Sequence, residues 1–154
     1  MAQRKITVSL NGKVIGSRRT DRTYTHALVL VDFDPAVFRA HREREWRAYG
    51  EANAKASHRH AVVAKEPSYK YASVVSPAER ANHERIAAMS LEDYVVHAHA
   101  EQLKNTEEWI SKKISQGAQV LSYAGRPDLA EKRAAQARKD LTEYTVLIVP
   151  VDQG

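Results

Sequence analysis

The chain has 154 residues, 43% apolar and 28% charged, with a formal net charge of +5 and a pI near 9.5. That length suits one domain with one core, and the basic balance favours nucleic acid, nucleotides or an acidic protein surface as partner. There is no cysteine, which excludes a disulfide framework and thiolate chemistry. No secretory h-region opens the chain and no run of 18 apolar residues occurs, so the expectation is a soluble cytoplasmic protein with no membrane partner.

Ile6, Val8 and Leu10 alternate with polar residues, the period of a half-buried strand. Asn11-Gly12 follows, a two-residue hairpin turn in which both residues take positive φ. A simple register after that turn sets Val8 opposite Ile15. The return strand runs into the arginine-rich stretch Ser17 to Arg22. Thr23 to Phe33 begins with alternation and becomes continuously apolar from Ala27 to Val31. A strand apolar on both faces belongs inside a sheet, and Val146 to Val149 has the same character. Both are expected to lie centrally, with Tyr24, His26, Leu28 and Leu30 sharing one face.

Asp34-Pro35 starts a helix, aspartate as cap and proline in the first helical position. The helix is expected to reach about Ser57, weakened in its middle by Gly50. His60 to Lys65 reads as a short extended piece and Glu66 to Val75 as a loop or weak strand. Ser76-Pro77-Ala78-Glu79 is a capping box. From there Ile86, Met89, Val96, Ala100, Leu103, Ile110 and Ile114 follow an imperfect heptad. A restart is expected at Ser90 and a stop at Gly117. Residues 35–117 therefore read as a helical hairpin inserted into a sheet core made of residues 1–34 and 118–154.

The last segment reads strand (Val120 to Tyr123), turn (Ala124-Gly125-Arg126), helix (Pro127 to Leu141), strand (Tyr144 to Val151), a βαβ unit. Ala130, Ala134, Ala137 and Leu141 would face the sheet, leaving Arg133 and its charged neighbours solvated. The fold class is α+β: a mixed sheet with an N-terminal hairpin, a C-terminal βαβ unit and a long helical insertion.

Four candidate chemistries arise. Gly125 and Arg126 precede a helix start, whose unpaired N–H groups attract anions, although Pro127 removes one donor and Asp128 competes. Arg18, Arg19 and Arg22 would join that corner if the terminal segments pack together, and arginine suits phosphate through its bidentate fork. Tyr24 and His26 on one strand face would form an acid–base pair, but no second titratable group is spaced to complete a catalytic site. His58/His60 and His97/His99 suggest metal binding; His97 and His99, an i, i+2 pair on a helix, point to different faces, and no carboxylate–histidine motif completes either pair, so no metal site is assigned. Arg39 to Arg47 is a basic helical stretch, diluted by Glu43 and Glu45. An RxxGxA string at Arg47 to Ala52 falls mid-helix and is taken as chance. No phosphate-binding loop of the GxxxxGK type, dinucleotide fingerprint or GxSxG elbow is present, and no cofactor is expected.

RTYTHA (Arg22 to Ala27) and AGRPDLA (Ala124 to Ala130) together resemble a pattern in small proteins of phages that infect actinobacteria. Those proteins have no established activity, so the resemblance implies an origin, an accessory protein acting in a host's cytoplasm. The combined expectation is non-catalytic binding of a nucleic acid or nucleotide through Arg18, Arg19, Arg22, Tyr24, His26, Gly125 and Arg126. The alternative is a protein–protein module, whose helical hairpin docks a host factor or a second copy of the chain.

Overall fold

A computed structural model describes residues 2–154. Five strands and five α-helices follow in the order β1 (Arg4–Leu10), β2 (Lys13–Thr20), β3 (His26–Val31), α1 (Pro35–Glu45), a π-helical turn (Trp46–Gly50), α2 (Glu51–Ala64), a 3-10 turn (Ala72–Val74), α3 (Pro77–Ala87), α4 (Leu91–Gln116), β4 (Gln119–Ala124), α5 (Pro127–Asp140) and β5 (Thr145–Pro150). The class is α+β. The chain forms two compact units: residues up to Phe38 with Ile110–Gly154, and Arg39–Trp109. Among the described residues no helix is long and apolar enough to cross a membrane.

In the first unit, β3 is the middle strand of a three-stranded sheet of order β4-β3-β5. β3 is antiparallel to both neighbours. β4 and β5 therefore run parallel to each other, as a βαβ connection requires, but β3 is inserted between them. This corrects the expectation of two central strands: only β3 is central, and β5 lies at an edge. β1 and β2 form their own antiparallel pair instead of extending that sheet, linked to the chain's end by a bridge between Thr7 and Asp152.

The arrangement is three-layered because β3 is apolar on both faces. On one face Leu28, Leu30 and Val146 pack with Ala130, Ala134 and Ala137 of α5; the methyl side chains let helix and sheet approach closely. On the other, Ala27 and Val29 pack with Ile6 and Val8 of the hairpin. Tyr24 belongs to this second cluster, not to the Leu28 face as its position suggests, because it precedes the strand and escapes its alternation.

The hairpin turn is as read: Asn11 has φ 52° and Gly12 φ 79°. Its register is not. Ser9 pairs with Val14 but Val8 pairs with Gly16, so Ile15 is an extra residue in a β-bulge. The bulge puts Gly16 and Arg18 opposite Val8 and Ile6, on the side turned toward the sheet. Gly16 is needed there, since a Cβ would lie 2.6 Å from Val120 Cγ2. Valine is stiff at χ1 and cannot swing away. Gly16→Ala is expected to lose about 1–3 kcal/mol through overpacking, read as a lower midpoint in urea unfolding.

The second unit is helical. The first long helix does not stop near Ser57: after the π-helical turn it continues through Ala64, and His60 to Ala64, expected to be extended, is helical. The wider turn falls where Gly50 lets the Trp46 indole lie against the backbone, a Cβ there being 2.7 Å from the ring. Both caps act as expected: Glu79 N–H donates to Ser76 Oγ at 3.1 Å, and Asp93 N–H donates to Ser90 Oγ at 3.1 Å. α4 lies antiparallel to the first helix, with Gln102 Nε2 donating to the Arg42 carbonyl (2.9 Å), Trp46 stacked on His99 (4.4 Å between centroids) and His58 Nε2 at the Met89 carbonyl (2.7 Å). The heptad does not form a buried seam throughout, since Val96 is 69% and Leu103 52% exposed.

Candidate functional site: a cationic groove along the β4 edge

β4 has a partner on one side only. Along its free edge runs a groove of about 1000 Å³, open to solvent and walled by β2, β4, the end of α4 and the first turns of α5. Arg18, Arg22, Lys113 and Arg133 line it, and no carboxylate does among the described residues.

A second bulge shapes this wall. Ala27 pairs with Tyr123 and Leu28 with Ser122, but Val29 pairs with Val120, which leaves Leu121 unpaired. Without the extra residue, Val120 and Tyr123 would point to opposite faces; with it, both turn toward the hairpin. Tyr123 then meets Tyr24, ring centroids 5.6 Å apart. The Arg18 guanidinium lies over both rings, 5.3 Å from Tyr24 and 5.7 Å from Tyr123. Ring faces hold that cation without neutralising it, so its N–H edge remains available to an anion. Arg133 donates to the Tyr123 carbonyl at 2.7 Å, which pins α5 to the strand, and Lys113 Nζ contacts Gln116 Oε1 at 3.4 Å.

The residues singled out in the sequence divide between groove and elsewhere. Arg18, Arg22, Tyr24 and Gly125 line the groove. Arg19, His26 and Arg126 do not, which corrects the expectation that all converge. Arg19 pairs with Lys5 in the hairpin; adjacent strand residues face opposite ways, so it lies on the outer side when Arg18 is on the inner. His26 falls on the α5 face with Leu28 by the same alternation, its Nδ1 2.8 Å from Thr25 Oγ1. It is thereby separated from Tyr24, and the acid–base pair is not assembled. Arg126 is directed to Asp128, Nε to Oδ1 3.5 Å, both mostly exposed. Lys113, Arg133 and Tyr123 were not anticipated. Arg133 follows Leu129 by four residues, so the two share a helix face; that spacing was the available signal.

His97 and His99 serve separate roles, His99 stacking on Trp46 and His97 facing a cavity in the helical unit. The basic stretch from Arg39 is largely held in ion pairs: Arg39 to Glu107 of α4 in a bidentate bridge (2.7 and 2.9 Å), Arg42 to Glu45 (2.6 Å) and Arg47 to Glu43 (2.5 Å). Its Arg39 partner holds the Glu107 carboxyl below the usual range by hydrogen bonding.

Burial pushes the Tyr123 phenol above the ordinary value of 10.0, opposed by the Arg18 charge. Burial, with Glu143 adding, does the same for Tyr144. A raised folded value means the neutral phenol is favoured in the fold. Its contribution is intact below pH 10.0 and is lost as pH rises through the higher folded value. Ultraviolet titration should show Tyr123 and Tyr144 ionising late, with thermal stability falling over the same window. Arg18→Ala should move Tyr123 higher still.

No protein-family model matches the chain, and no curated protein sequence or solved structure is significantly similar to it.

Proposed function

We propose that the protein binds a phosphate-bearing polyanion in this groove, single-stranded nucleic acid being the ligand that suits it best, without catalysing a reaction on it. The carrying observation is the lining of four cationic side chains without a carboxylate. Cations lining one groove suit a phosphate backbone, and tyrosine rings at its wall give bases a surface to stack on. A mononucleotide would engage only part of such a surface. In keeping with the RTYTHA and AGRPDLA resemblance, the proposal extends to a phage accessory protein working in the host cytoplasm.

Fluorescence anisotropy with a labelled single strand, a duplex and a mononucleotide, each at two salt concentrations, tests this reading. The single strand should bind most tightly and weaken with salt, log K falling by about 0.7 per log unit of salt for each phosphate engaged. Salt-insensitive or absent binding to all three rejects it.

One observation favours a second reading. Val96 and Leu103 are exposed seven residues apart, on one face of α4. That face would suit a second copy of the chain or a host protein. Light scattering after size exclusion, with Leu103→Glu as control, would show a dimer lost in the variant; a monomer at all concentrations removes self-association.

A further inference from the structure

Arg18 stands where a ligand in the cationic groove would meet it. It is exposed, lines the groove and sits opposite Ile6 in the hairpin. Beneath its guanidinium lie Tyr24 and Tyr123, both half-buried. Their ring centroids are 5.6 Å apart and their planes inclined at 51°, so the pair forms an angled seat. The guanidinium lies over both, at 5.3 Å and 5.7 Å from the centroids.

A guanidinium held in this way has two kinds of surface to offer. Its N–H edge donates to phosphate oxygens, as a bidentate fork. Its plane is delocalised and weakly hydrated, so the face turned away from the tyrosines accepts another flat π-system. The rings hold the cation through their quadrupoles and leave its charge in place. That charge reaches the phenol below, where it opposes the burial that raises Tyr123. No carboxylate lines the groove among the described residues, so nothing acidic in the wall competes for the N–H edge.

A phosphate engages the edge and leaves the face. In a single strand whose phosphates meet Arg22, Lys113 and Arg133 along the same groove, the flat groups that could cover that face are the bases. The guanidinium overlies the two tyrosines, so a base arriving at this wall contacts Arg18 ahead of the rings.

We infer that Arg18 is the base-recognising residue of the groove: a nucleobase stacks on the open face of its guanidinium, above Tyr24 and Tyr123, while the N–H edge takes a neighbouring phosphate. This rests on the reading that the groove holds a single strand, and it adds that the bases are recognised as well as the phosphates.

The test compares a labelled strand of deoxyadenosines with an abasic strand of equal length, so that the phosphates are equal in number. In fluorescence anisotropy the base-bearing strand should bind about tenfold or more tightly, with the same slope of log K against log salt. Arg18→Lys keeps the positive charge but has no planar face, and should remove most of that preference in a protein with unchanged circular dichroism. A second measurement reads the unaltered protein directly. In 15N-labelled protein the Arg18 Nε–H signal, identified by its absence from the variant, should shift upfield under the ring current of a stacked base. The abasic strand should not produce that shift. Equal affinity for the two strands overturns the inference and leaves phosphate binding in the groove standing. A preference that survives undiminished in Arg18→Lys also overturns it. Failure of both strands to bind rejects the inference together with the single-strand reading.

Discussion

Replacing Arg18 and Arg22 together with alanine should cut affinity for a single-stranded oligonucleotide and flatten its salt dependence, leaving the fold intact. Both residues line the groove, and neither is part of a core cluster. If each meets one phosphate, the slope of log K against log salt should become shallower by about 1.4, twice the value of about 0.7 for one contact on a single strand. Arg19→Ala is the matched control, the same charge removed from the hairpin's outer side. Equal losses in both variants would mean that net charge, and not the groove, governs binding. Arg18 should matter more than Arg22, because the two tyrosine rings restrict it to one place and less side-chain entropy is lost on binding.

Leu28→Ala is expected to be the most damaging single core substitution, at about 2–5 kcal/mol. Leu28 is 1% exposed in the middle of β3, between Ser122 and Ile148 on the neighbouring strands. Its cluster is completed from α5 by Ala130, Ala134 and Ala137. Alanine has no rotamer with which to fill a void, and the helix backbone cannot collapse onto a sheet it already touches. The upper part of the range is therefore expected. Natural domains have only about 5–15 kcal/mol in total, so much of that margin would go. Leu121→Ala, at a residue 43% exposed, should change stability by no more than about 0.5 kcal/mol. Urea unfolding of the two variants side by side distinguishes them; similar midpoints would show that the α5 layer is not the stabilising one.

Much of the fold was legible because it is written in local patterns. The Asn11-Gly12 turn, the caps at Ser76 and Ser90, the stop at Gly117 and the small-residue stripe of α5 each depend on a few consecutive residues. The candidate groove was legible in half. Arg18, Arg22, Tyr24 and Gly125 were identified as a group, although nothing in the sequence showed which terminal residues would meet. Arg19 could have been set aside from the sequence, because two adjacent residues on one strand cannot line the same face. The extension of the first helix through Ala64 was missed because histidines and β-branched residues are indifferent helix formers, and packing overrides so weak a preference.

The sequence by itself determined the α+β class, the ends of most elements, the doubly apolar character of β3 and the basic charge near both termini. Tertiary structure decided which strands are neighbours, that β3 separates β4 from β5, and that the hairpin stacks on the sheet instead of extending it. It also decided the two bulges, at Ile15 and Leu121, which turn Arg18 and Tyr123 toward each other. A bulge shifts every later side chain by one face; the one at Ile15 lies within the hairpin, but Gly16 beside it packs on Val120 of β4, and the one at Leu121 lies between β3 and β4, far apart in the chain. No window of neighbouring residues contains that information.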